Sequence, residues 1–180
     1  MASLQPPGLL TIDDLDDFPD DGNRYELIDG ELLVSPTPAV RHQWLSANLF
    51  TALARHAPDQ LAVMFAPVGV ELGHDTHVEP DLLVVPKTAM GGRKLDGRPV
   101  LVVEILSPSS RRTDAVRKRR VYERMGIPSY WIADPEAPSL TVLELVGDEY
   151  REVASAEGAE TLRVEVPYPL TLVPEDLVAL

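Results

Sequence analysis

Apolar residues run almost unbroken through two short stretches, "PDLLVVP" at 80–86 and "PVLVVEIL" at 99–106. A strand with one wet face alternates apolar and polar residues; runs like these are expected of strands covered on both faces. From about Ala39 to His56 the spacing becomes helical, with Leu45, Leu49, Ala52 and Leu53 on one side and Pro58 as the stop. A second helix is predicted from about Arg111 to Met125, ended by Gly126 and Pro128. "YELIDGELLVSP" reads as two short strands joined at Asp29-Gly30, a dipeptide suited to a tight hairpin turn. "LAVMFAPVGVEL" is a strand region broken by Pro67 and Gly69, "GHDTH" a turn, and "SYWIADP" another strand. "KTAMGGRKLDGRP" is expected to be an exposed, mobile loop, and the sequence after Pro135 a hairpin, a loop and a closing segment.

The central order is helix, three strands, helix, strand, with further strands at both ends. That order predicts an α/β (α+β) fold: a mixed sheet flanked by helices. No repeat or linker divides the chain, so residues 1–180 are expected to form one domain behind an acidic lead at 1–22.

Composition narrows the function. No apolar stretch approaches the roughly 20 residues of a membrane helix, and the N-terminus lacks the basic start and apolar run of a secretory leader. Cysteine is absent, which removes disulfides and thiolate metal sites and fits a reducing cytoplasm. The net charge of -13 argues against extensive nucleic-acid contact. The charge is uneven, however: "DDLDDFPDD" is acidic, whereas "RRTDAVRKRR" gathers much of the basic charge.

Glu104 interrupts the longer apolar run, where an ionised carboxylate is costly unless paired or bound to a metal. Asp81 opens the preceding run, and strand alternation puts it with Leu83 and Val85, and Glu104 with Val102 and Leu106. On adjacent strands the two carboxylates could face one hard cation such as Mg²⁺. Lys118 falls on a helical stripe with Asp114, Val121, Tyr122 and Met125, while Arg112, Arg119, Arg120 and Arg124 spread over the other side. A lysine beside two such acids could position water or stabilise charge developing on a phosphate. The plainer alternatives are a strand-start Asp81, a Glu104 paired with an arginine, and a Lys118 paired with Asp114.

Other candidates are weaker. His74, Asp75 and His77 in "HDTH" read as a solvated turn, and His42 as a structural histidine on the apolar side of the first helix. Ser107, Ser109 and Ser110 look like helix caps. No serine-hydrolase arrangement, phosphate-binding loop or dinucleotide-binding glycine pattern is present.

Four segments together carry a resemblance: "YELIDGELLVSPTPAVRHQ", "VEPDLLVV", "PVLVVEILSPSSRRTDAVRKRRVYERMGIPSYWIADP" and "YPLTLVPEDL". They resemble the "putative restriction endonuclease" family of the PD-(D/E)XK nuclease superfamily, from about Tyr25 to the C-terminus. The resemblance implies a restriction-endonuclease-like core in αβββαβ order and phosphodiester hydrolysis of DNA dependent on Mg²⁺ or Mn²⁺. It implies Asp81, Glu104 and the backbone carbonyl of Ile105 as metal ligands and Lys118 as the catalytic lysine. The superfamily's usual lysine position, two residues after the acid, holds Leu106. Glu31 or Glu26 corresponds to an auxiliary acid, and His42 and Tyr122 are further auxiliary positions. The resemblance also suggests a homodimer able to cut two strands. A non-catalytic binding module of the same fold, or a hydrolase of a smaller phosphodiester, remains open.

Overall fold

The structure is a computed structural model that describes residues 9–92, 94–107 and 113–179, without the side chains of 113–115. Strands β1 (Arg24–Ile28) and β2 (Glu31–Ser35) form the expected hairpin. Asp29 and Gly30 both have positive φ, 53° and 78°, as the tight turn requires. A Cβ on Gly30 would also lie 3.0 Å from Leu9 Cβ. Gly30→Ala is therefore expected to lower stability by about 1–2 kcal/mol, measured as a reduced denaturant midpoint with an unchanged slope.

Helix α1 (Val40–His56) is followed by β3 (Leu61–Phe65), a small hairpin of β4 (Val70–Leu72) and β5 (Thr76–Val78), and then β6 (Leu82–Pro86). Next come β7 (Leu101–Ile105), α2 (Thr113–Met125) and β8 (Ser129–Asp134). The chain finishes with β9 (Ser139–Val146), β10 (Glu149–Glu157), β11 (Leu162–Val164), β12 (Leu170–Leu172) and the short α3 (Pro174–Val178). The central order α1, β3, β6, β7, α2, β8 matches the expectation, with β4 and β5 inserted.

The large sheet runs β10-β9-β8-β7-β6-β3, and β1, β2, β4 and β5 form a second sheet in the order β2-β1-β5-β4. Within the large sheet only β7 and β8 pair in parallel, as a crossover through α2 demands. The unbroken apolar runs follow from burial on both faces. Leu82, Val84, Leu101 and Val103 pack toward Leu45, Leu49 and Leu53 of α1. Leu83, Val85 and Val102 pack toward Val121, Tyr122 and Met125 of α2 and toward Ile28, Val70 and Val78 of the second sheet.

Two local expectations change. Thr76 and His77, read as turn, belong to β5, because pairing with β1 and β4 extends them. The glycine-rich loop is partly ordered: Lys87–Ala89 form a 3₁₀ turn, and the Asp96 N–H donates to the Ala89 carbonyl at 2.9 Å. Arg111, Arg112, Ser109 and Ser110 lie outside the described residues.

Candidate active site

β6 and β7 pair with Leu82 opposite Val103 and Leu83 opposite Val102. This register sets Asp81, just before β6, across from Glu104, both on the α2 side of the sheet. α2 packs there through Val121, Tyr122 and Met125, and the same helical stripe carries Lys118 inward. β1 closes the site from the second sheet. Glu26, Asp81, Glu104 and Lys118 are only 2, 5, 8 and 5% exposed.

Lys118 Nζ bridges two acids, at 2.8 Å from Glu26 Oε1 and 3.1 Å from Glu104 Oε1. The Tyr122 hydroxyl donates to the same Glu104 oxygen. Burial and the Glu104 charge hold the Tyr122 phenol well above its usual pKa, so it stays protonated as that donor. Glu26 also accepts the Glu79 N–H at 2.7 Å. The charge that offsets Glu104 is thus an ammonium, rather than the arginine of the plainer alternative.

Asp81 has a separate set of partners. Its Oδ1 receives Arg24 Nη1 and Nη2, both at 3.1 Å. Its Oδ2 accepts the Ile105 N–H at 2.8 Å and lies 3.2 Å from His42 Nε2. Burial alone would raise the Asp81 carboxyl, but His42, Arg24 and the Ile105 amide outweigh it and hold the pKa below the ordinary value. His42 Nδ1 is buried without a hydrogen-bond partner.

Glu104 behaves in the opposite way. Burial, with Asp81 and Glu26 as like-charged neighbours, outweighs Lys118 and pushes its carboxyl up to about 7. For Lys118, burial alone would favour the neutral amine, yet Glu104 and Glu26 raise its pKa. Both shifts are upward, so the lysine keeps its charge while the carboxyl tends to lose its own. Glu104 is the partner that yields, because three buried acids share the site with two permanent cations, Arg24 and Lys118.

The structure therefore gathers Asp81, Glu104, Lys118, His42 and Tyr122. It does not gather Glu31, which lies on the surface with Oε2 2.7 Å from Arg117 Nη1. Glu26 occupies the inward position of that hairpin instead. Arg24 joins the site without having been singled out in the sequence, although its two-residue spacing from Glu26 on a strand was a usable signal. The arginines of α2 are largely engaged as well: Arg119 pairs with Glu123 and Arg124 with Asp29. The Arg124–Asp29 and Arg117–Glu31 pairs dock the first hairpin on α2.

Comparison with known proteins gives a consistent answer. None of the curated proteins matches the chain. A solved structure, a "putative nuclease belonging to DUF820" from Anabaena variabilis ATCC 29413, superposes with a TM-score of 0.76. It is 19% identical, and the match covers 94% of this chain and 97% of that one, so it establishes a shared fold. The family model described as "Putative restriction endonuclease", Uma2, matches residues 12–174, and the chain belongs to that family.

Proposed function

We propose that the chain is a DNA endonuclease that hydrolyses phosphodiester bonds with Mg²⁺ or Mn²⁺ held by Asp81, Glu104 and the Ile105 carbonyl. The observation that carries this reading is the buried excess of acid: Glu26, Asp81 and Glu104 against Arg24 and Lys118. A divalent cation would relieve the strain that holds Glu104 near neutrality. The donors fit a hard ion, being oxygens from two carboxylates and a carbonyl. Two carboxylates are what Mg²⁺, an ion that keeps several waters, usually takes from a protein. In a strand a residue's N–H and C=O point to the same side. The Ile105 carbonyl therefore faces the side on which its amide meets Asp81.

Held by Asp81, Glu104 and the Ile105 carbonyl, such an ion would supply Lewis acidity toward a phosphoryl oxygen and a lowered pKa for water. The residues of the chain do the rest. Tyr122 fixes the Glu104 rotamer through its hydroxyl. The Ile105 amide and His42 fix that of Asp81. Lys118, held by two acids, orients the attacking water and stabilises charge developing on the phosphate. Arg24, which donates to Asp81 Oδ1, is the cation placed to take a phosphate oxygen if Asp81 turned to other work.

Incubation with linear, single-stranded and branched DNA tests the reading: Mn²⁺ is expected to support cleavage and a chelator to stop it. Arg24→Ala is expected to tighten Mn²⁺ binding several-fold in calorimetry while slowing cleavage, since it removes both a competitor for Asp81 and a phosphate ligand. DNA binding without cleavage in the presence of Mn²⁺ or Mg²⁺ would instead support the binding-module reading, which the existing Lys118 and Arg24 pairs favour. A homodimer would bring two sites to one duplex, and sedimentation measures that directly. No described helix is long and apolar enough to cross a membrane.

A further inference from the structure

A cavity of about 310 Å³ opens between the β4–β5 hairpin and the loop that precedes β7. It lies on the α2 side of the large sheet, where Met64 and Leu95 pack against that core. Met64, Pro67, Met90 and Leu95 supply apolar walls, and Glu71 and His77 supply polar ones. His77 stands between two acids, with Nδ1 3.6 Å from Glu71 Oε1 and Nε2 3.6 Å from Glu79 Oε1. Both distances exceed a hydrogen bond, and Nδ1 is buried with no hydrogen-bond partner. Only glycine at 69 admits the ring, since a Cβ there would lie 2.2 Å from His77 Cε1. Lys94 Nζ reaches Glu71 Oε1 at 2.7 Å.

A short run of contacts ties this cavity to the acids of the site. Glu79, 3.6 Å from His77, lies 3.8 Å from Arg24 through its other carboxylate oxygen, and Arg24 lies 3.1 Å from Asp81. A carboxylate acceptor beside an imidazole donor matches the edge of a base that offers an amine next to a ring nitrogen, as adenine and cytosine do. Methionine walls pack favourably on aromatic rings. The volume is at the lower end of small-ligand pockets, which suits one base.

We propose that this cavity holds a single unstacked nucleobase with an exocyclic amine, adenine or cytosine, from the strand whose phosphate meets Lys118 and Arg24 at the candidate active site. This rests on the endonuclease reading for the identity of the ligand. Glu71 accepts from the amine, His77 donates to the ring nitrogen, and Met64 and Met90 cover the ring faces. The substrate is accordingly a strand that can present an unpaired base, either single-stranded DNA or a duplex with an extruded nucleotide.

The test uses the intact metal-free chain with methyl-labelled methionine, titrated with cytidine, adenosine or thymidine and followed by NMR. Met64 and Met90 line the cavity, while Met125 lies in the α2 core as an internal control. The expected result is a saturable shift of the Met64 and Met90 methyls with cytidine or adenosine, Met125 staying fixed. Thymidine should bind roughly tenfold more weakly, and both Gly69→Ala and Glu71→Gln should lose the preference. No saturable shift, equal binding of thymidine, or a preference unchanged in Glu71→Gln would overturn the proposal. Cleavage assays separate the two readings: DNA cut without nucleoside binding sinks only the base pocket, and nucleoside binding without cleavage sinks only the endonuclease.

Discussion

Glu104→Gln is expected to slow DNA cleavage by about 10²- to 10³-fold, the scale of losing one preorganised electrostatic contribution to the transition state, while making the metal-free protein more stable at pH 8. The second half follows from the sign of the Glu104 shift. Its carboxyl has an ordinary pKa of 4.5 and is pushed up to about 7 in the folded chain. The folded state therefore binds more protons than the unfolded state between those values, and stability falls as pH rises through that window. The loss is complete above about pH 7 and is on the order of 1–3 kcal/mol. Glutamine keeps the shape, can still accept from Tyr122 and Lys118, and leaves Lys118 one full carboxylate partner in Glu26. At pH 8 the variant should melt a few degrees above wild type, and the gap should close toward pH 5. Added Mn²⁺ should raise the melting temperature of wild type and leave the variant unmoved. A variant that melts lower than wild type at pH 8 would mean that Glu104 is stabilising as an ionised partner of Lys118, and the acid would then be structural.

The same residue shows what the sequence made legible. An acid inside an unbroken apolar run has few tolerable surroundings, so Glu104 could be singled out with no partner in view. Alternation along two strands then gave the face shared with Asp81, and the helical period gave Lys118. All of these are local patterns with fixed repeats. Arg24 and His77 are different, because their surroundings depend on pairings made far along the chain. Arg24 meets Asp81 across 57 positions, through β1 and its single described pairing with β5, Leu27 opposite His77. No periodicity encodes that. The hairpin acids show the limit most directly: Glu26 and Glu31 flank the same turn, and only the docking of β1 against α2 sends Glu26 inward and leaves Glu31 on Arg117. The basic run of α2 likewise has partners that no periodicity encodes. Its charges read only as a basic stripe in the sequence, and Arg117 and Arg124 are seen to hold the first hairpin once β1 and β2 are docked.

Lys118→Met should give the largest loss of stability. Methionine fills a similar volume, so the effect isolates the charge. Without the ammonium, Glu26 and Glu104 lie buried together with no cation between them, and Asp81 adds a third negative charge already committed to Arg24. Removing one member of a buried ion pair typically costs about 3–5 kcal/mol, which lowers the melting temperature of a chain this size by on the order of 10 °C. The carboxylates can escape part of that penalty by taking up protons, so the loss should be smaller at pH 5 than at pH 8. Combining it with Glu104→Gln separates charge from packing. If the cost is electrostatic, the double variant should recover a large part of the stability lost in Lys118→Met, a coupling well above the few tenths of a kcal/mol expected of independent sites. Additive effects would instead assign the loss to the packing of α2 on the sheet. Mn²⁺ provides the final discriminator: a cation bound at Glu104 can take over the neutralising role, so the metal should restore stability to Lys118→Met more than it stabilises wild type, even though the variant has lost the residue that orients water.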